Sequence, residues 1–105
     1  MTTFDKREDS FEKKFAHDEE LMFRATARRN KRLAAWAAEK LGRTDADAYF
    51  KEVMAADLEE AGDDDVVRKL TADFAKGGVD QSEHQIRRTM DELMAAAVAE
   101  IKAGK

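Results

Sequence analysis

Apolar residues recur along this chain with a helical period, and the strength of that pattern changes from one stretch to the next. Across Leu21–Leu41, the residues Met22, Ala25, Leu33, Trp36, Ala37 and Leu41 fall near one face of a helix, interrupted at Arg29, and Gly42 follows as a stop. Thr44 then offers an N-cap, with Asp45 and Asp47 in the first turn, where the helix dipole favours acid. The second helix runs to about Ala61, carries Phe50, Val53, Met54, Asp57, Leu58 and Ala61 near one face, and ends at Gly62. Asp63 or Asp64 caps a third, whose apolar set is Val66, Val67, Leu70 and Phe74, and Gly77-Gly78 breaks it. Asp80, with Glu83 three residues on, has the form of a capping box. It opens a fourth helix with Ile86, Met90, Leu93, Met94, Ala97, Val98 and Ile101 along one side. Short connections between amphipathic helices favour antiparallel neighbours, so the pattern predicts an all-α four-helix bundle with Trp36 in its core.

Thr2–Phe23 is different. Phe4, Phe11, Phe15 and Met22 make one narrow stripe, and nearly everything between them is charged. Three phenylalanines cannot offset the ordering entropy of ~17 residues, roughly 1–2 kcal/mol each. Asp9–Lys13 and Lys14–Asp18 are favourable pairs one turn apart, but Asp5–Asp9 and Glu8–Glu12 repel. Two readings follow. Residues 1–17 form a mobile N-terminal arm, disordered or marginally helical when free and helical in a partner's groove with the Phe stripe as anchor, while residues 18–105 form the bundle. Alternatively, the segment is the first turns of helix one, packed on its own bundle.

Composition supports the fold class. Proline is absent from the 105 residues, β-branched residues are sparse and alanine is abundant. Charged residues make up 40 % and apolar ones 43 %, enough apolar content for a core. Cysteine is absent, which rules out disulfides, thiol catalysis and zinc–thiolate sites and fits a reducing cytoplasm. No apolar leader opens the chain, and the longest apolar run, Leu93–Ala99, falls far short of the ~20 residues that span a bilayer.

Candidate chemistry is thin. Lys14 and Gln81 precede His17 and His84 by three residues, so the Glu-x-x-His of di-iron bundles is missing and both histidines are expected at the surface. Asp63-Asp64-Asp65 lacks the alternating ligands, glycine and closing glutamate of a calcium loop, and reads as cap and dipole residues. Gly77-Gly78 has no phosphate-loop context, and Ser10 and Ser82 sit in no nucleophile elbow. The chain is therefore expected to have no catalytic residue, metal or cofactor. Its charge is uneven: seven basic residues and one acid from Arg24 to Arg43, then nine acids and one lysine from Thr44 to Val66. Arg24, Arg28, Lys31 and Arg32 lie along one helical face. That face is either a patch for nucleic acid or an anionic protein, or a solvated surface partly neutralised by the acidic second helix. The net charge of −4 argues against nucleic acid as the main partner.

Certain residues together resemble a known family. Phe4-Asp5 with Arg7-Glu8, Glu12 with Lys14-Phe15-Ala16-His17-Asp18, Ala27-Arg28-Arg29-Asn30, and Trp36-Ala37-Ala38 ending in Leu41-Gly42 look like the signature of the zeta-type inhibitor subunit of alphaproteobacterial F-type ATP synthases. The likeness is dense over about forty residues, Phe4 to Gly42, and looser to the C-terminus. It implies a four-helix bundle whose mobile N-terminal segment becomes helical between an α and a β catalytic subunit and stops the central rotor in the hydrolysis direction. By that resemblance the partner-binding residues are Phe4, Asp5, Arg7, Glu8, Phe11, Glu12, Lys14 and Phe15. The partners would be the catalytic α and β subunits and the rotor. The free protein would be a cytoplasmic monomer that joins the membrane-bound enzyme peripherally, without inserting into the membrane. The rival expectation is a small nucleic-acid-associated or structural helical module using the Arg24–Arg43 face.

Overall fold

An alanine-rich, proline-free chain with amphipathic period folds here into four helices: α1 (Thr3–Leu41), α2 (Ala46–Asp57), α3 (Asp64–Lys76) and α4 (Glu83–Lys102). The computed structural model describes residues 3–58 and 62–105, and the side chains among them from residue 18 onward. No strand occurs among the described residues, and the expected all-α four-helix architecture is what the chain adopts.

α1 dominates the shape. Its 39 residues span about 58 Å at 1.5 Å per residue. The molecule measures 64 × 27 × 23 Å with a radius of gyration of 17.3 Å, against roughly 13 Å for a compact chain of this length. The helix runs unbroken through the boundary between arm and bundle, and the backbone of residues 3–17 follows the same helical path. The side chains of Phe4, Asp5, Arg7, Glu8, Phe11, Glu12, Lys14, Phe15 and His17 lie outside the described residues. Leu21 is the first buried side chain described along α1.

The core forms where α1 meets the other three helices. Leu33, Ala34, Ala37 and Ala38 of α1 pack with Tyr49 and Val53 of α2, Val66, Val67, Leu70 and Phe74 of α3, and Ile86 and Met90 of α4. The alanines let neighbouring helices approach closely, since interaxial distance follows the side chains at the contact. α1 ends in a Schellman motif: the Arg43 N–H reaches the Ala38 carbonyl at 2.8 Å, the Gly42 N–H reaches Glu39 at 3.1 Å, and Gly42 takes φ +71°. α3 ends against it so tightly that a Cβ on Gly77 would stand 2.8 Å from Leu41 Cδ2.

Several expectations are corrected. The buried stripe at the start of the bundle is Leu21, Ala25, Arg29 and Leu33, each four residues after the last, and Met22 is exposed. α2 is rotated by one residue: Tyr49 is buried with Val53, while Phe50 is only half-buried. The hydroxyl decides this, because Tyr49 donates to Asp73 Oδ2 at 2.8 Å on α3. α2 stops at Asp57 rather than near Ala61, and Leu58, expected on its apolar face, is exposed. Ala61 lies outside the described residues. Trp36 sits at the margin of the core, half-buried, edge-on to Phe74 with centroids 5.6 Å apart and with Lys40 Nζ 5.5 Å over its ring.

The caps differ too. Asp45, not Thr44, is the N-cap of α2, and its side chain makes no cap bond because Arg43 binds both its oxygens. Asp63 occupies the N-cap of α3 without capping it, its carboxylate being taken by Arg29. α4 opens on a Ser82–Gln85 capping box instead of Asp80–Glu83. The Ser82 hydroxyl accepts from the Gln85 backbone N–H at 3.1 Å, and the Gln85 side-chain Oε1 accepts from the Ser82 backbone N–H at 2.9 Å.

Candidate partner-binding surface

The partner-binding residues named from the sequence all belong to the first fifteen positions, so the geometry that bears on them is how the bundle holds the helix they ride on. Three attachments fix α1 between Leu21 and Arg32. Leu21 and Ala25 bury their side chains. One helical face then turns its arginines to the end of α4. Arg32 forms a two-pronged bond with Glu100, Nη1 to Oε2 at 2.7 Å and Nη2 to Oε1 at 2.6 Å. Arg28 reaches Glu100 Oε1 and the Lys105 carbonyl, each at 3.2 Å. The hydrogen bonds from Arg32 hold the Glu100 carboxyl below its ordinary range.

The third attachment is a buried polar knot. Arg29, the residue that interrupts the apolar face, is almost wholly buried beside Asn30. Its Nε and Nη2 donate to Asn30 Oδ1 at 3.1 and 2.9 Å, and its Nη1 donates to Asp63 Oδ1 at 2.9 Å. Asn30 Nδ2 in turn donates to Asp57 Oδ2 at 3.1 Å. One α1 turn thereby grips the last residue of α2 and the residue before α3. A buried guanidinium survives only when its charge and donors are met in this way.

The same accounting decides what the basic face can do. Arg28 and Arg32 are neutralised by Glu100 of α4, not by the acidic second helix as expected. Arg43 does pair with the second helix, through Glu52 at 2.9 Å, as well as with Asp45. Arg29 is inside, and Lys40 lies over Trp36. Arg24 and Lys31 remain exposed, which leaves no continuous cationic stripe among the described side chains of α1. The aspartate run is dispersed as well: Asp63 to Arg29, Asp64 to Arg87 at 3.0 Å, and Asp65 to Arg68. His84 is exposed, as expected. Among the described residues no group of three or more histidine, cysteine, aspartate or glutamate side chains converges to hold a metal.

The surface has one feature that sequence reasoning missed. Among the described residues, the exposed large apolar side chains are Met22, Phe23 and Leu58. The pattern placed Met22 and Leu58 on apolar faces and assigned Phe23 no role, although its exposure follows from its place one residue beyond the Phe4–Met22 stripe.

No helix among the described residues is long and apolar enough to cross a membrane. A comparison with curated proteins finds no match. The family model described as ATPase inhibitor subunit zeta matches residues 1–100. With nearly the whole length matched and the four-helix architecture in place, the chain belongs to the ATPase inhibitor subunit zeta family.

Proposed function

We propose that this protein inhibits ATP hydrolysis by an F-type ATP synthase, with residues 1–17 as the effector and residues 18–105 as the body that carries them. The supporting observation is α1 itself: one uninterrupted helix, Thr3–Leu41, whose first half bears the Phe4, Phe11 and Phe15 stripe and whose second half is anchored in a complete core. The arm enters the cleft between an α and a β catalytic subunit with the three phenylalanines as buried anchors. Asp5, Arg7, Glu8, Glu12 and Lys14 meet charges at the rim of that cleft. Ordering ~17 marginal residues costs about 1–2 kcal/mol each, and a helix already begun in the bundle lowers that cost because nucleation is its unfavourable step.

The mechanism is steric and needs no catalytic group or cofactor in this chain. A helix lodged between α and β blocks the closure that accompanies rotor turning in the hydrolysis direction. Rotation in the synthesis direction opens the same interface and expels the wedge. The protein then acts in the cytoplasm, at the head of the membrane-bound enzyme, and enters the complex as a monomer. The nucleic-acid alternative has lost its main support, since four of the seven basic residues of Arg24–Arg43 are internally paired. The experiment is a pull-down from solubilised membranes with tagged full-length protein, after zero-length cross-linking. Cross-links from Lys6, Lys13 or Lys14 to α and β subunits are expected, and their absence in a complex that does form would refute the arm's role.

A further inference from the structure

We infer that the end of α4 is a latch on the root of α1: Glu100 clasps Arg28 and Arg32, and when the clasp opens, residues 18–28 leave the bundle while the helix beyond the Arg29–Asn30 knot stays packed. The inference concerns the free protein and does not depend on the inhibitor reading above.

Different forces hold α1 on the two sides of that knot. On one side Leu33, Ala34, Ala37 and Ala38 belong to a core shared by all four helices. On the other, between residues 18 and 28, the buried side chains are Leu21 and Ala25, and both stand outside that core. α4 shows the same division. Ile86 and Met90 reach the core, and Ala97 is its last buried residue. Further out, a cleft of about 300 Å³ separates the two helix ends, lined by Glu20, Leu21, Arg24, Ile101, Lys102 and Gly104. Side chains that face such a gap lose the close contacts that hold a packed core together.

What joins the ends is polar and converges on one carboxylate. Glu100 accepts both Nη1 and Nη2 of Arg32, at 2.7 and 2.6 Å, and Nη1 of Arg28 at 3.2 Å. Arg28 also donates to the carbonyl of Lys105, at 3.2 Å. These side chains are between 26 % and 39 % exposed, so water and salt compete for every bond in the clasp. A thin apolar contact beside a cleft, closed by one partly exposed carboxylate, belongs to the low end of the stability range within a fold and opens as a unit. The Arg29–Asn30 knot sets the limit, because its bonds to Asp63 and Asp57 tie the next turn of α1 to α3 and α2. Opening frees residues 18–28, roughly 16 Å of helix. Under the inhibitor reading, that length is added to the reach of the arm.

The test is the rate at which iodoacetamide alkylates a single introduced thiol in the full-length free protein, which has no cysteine of its own. Ala25→Cys probes the junction and Ala37→Cys the core, and both alanines are wholly buried. Leu21→Cys is a second junction probe, should Ala25→Cys disturb the fold. The junction thiol should react at least tenfold faster than the core thiol, because it is reached by local opening. Adding Glu100→Ala should speed the junction thiol roughly tenfold further and leave the core thiol as it was. Arg32→Ala and raised salt should act in the same direction. Arg88→Ala is the control: it removes the Arg88–Glu92 pair, at 3.3 Å on the same helix, and should change neither rate. Equal rates for the junction and core thiols would overturn the latch. So would a Glu100→Ala effect that is absent, or that is equal at both positions, since opening would then be global.

Discussion

Replacing Arg29 with alanine should destabilise the bundle by about 3–4 kcal/mol. The guanidinium is 2 % exposed, whereas Asp63 across from it is half-exposed. When the arginine goes, Asp63 recovers water and is not stranded. Asn30 Oδ1 fares worse: both donors within reach, Nε and Nη2 of Arg29, vanish together from around a wholly buried side chain. An unsatisfied buried acceptor costs roughly 1–3 kcal/mol, and a hydrogen bond to a charged group is worth about 1.5–3 kcal/mol. The lost stem adds a cavity term. Arg29→Met keeps most of the stem and should cost about 2 kcal/mol, which separates polar from apolar contributions. For a domain of this size each kcal/mol lowers the midpoint by about 4–8 °C, so thermal melts followed by circular dichroism resolve both variants easily. A loss below about 1 kcal/mol for Arg29→Ala would show that the knot adds nothing net, as replacing a buried ion pair sometimes does.

Other outcomes follow from the same contacts. Trp36→Ala should cost about 1–2 kcal/mol in the same melts, because the ring is at the core margin and touches Phe74 edge-on; a fully buried tryptophan would cost roughly 3–5 kcal/mol. Burial alone would raise the Asp73 carboxyl, but the Tyr49 hydroxyl and the Lys69 ammonium at 3.0 Å hold it below its ordinary value. A carboxyl depressed in the folded state contributes stability that is present above its unfolded value and lost as pH falls through the folded one. Melting temperature should therefore fall on acidification below about pH 4, and Asp73→Asn should flatten that dependence while lowering stability at pH 7. An acid limb as steep in Asp73→Asn as in wild type would place the titrating group elsewhere.

How far the chain could be read depended on which force set each feature. Helix order and the glycine stops of α1 and α3 were legible, because amphipathic period and left-handed glycines act locally: Gly42 ends α1 as expected. The one-residue rotation of α2 was not, because Tyr49 and Phe50 are nearly equal in apolar content and only the partner Asp73, on another helix, chooses between them. Arg29 looked like a flaw in an apolar stripe. Its partner Asp63 lies 34 residues on, and Asp57, which binds the neighbouring Asn30, lies 27 residues beyond that asparagine; nothing local announces that they will meet here. Asp63 and Asp45 likewise carry strong capping signatures, and arginines drew both carboxylates away from the helix ends. At the basic face, expected neutralisation by α2 was right for Arg43 and wrong for Arg28 and Arg32, whose acid arrives from Glu100 at the far end of the chain. Of the candidate site, the Phe4, Phe11 and Phe15 stripe is a reading of the sequence, and its side chains lie outside the described residues. The exposure of Leu58 required knowing where α2 stops.

The most direct test of the arm as effector is inhibition of ATP hydrolysis, titrated with the full chain and with a chain lacking Met1–His17. The described core begins at Leu21, so the truncated protein should melt at nearly the same temperature as the whole, and it should fail to inhibit. In the full chain, Phe11→Ala or Phe15→Ala should weaken inhibition by about 2 kcal/mol, roughly thirtyfold in the half-inhibiting concentration. A truncated protein that inhibits as strongly as the full chain would contradict the account and move the effector from the arm to the bundle.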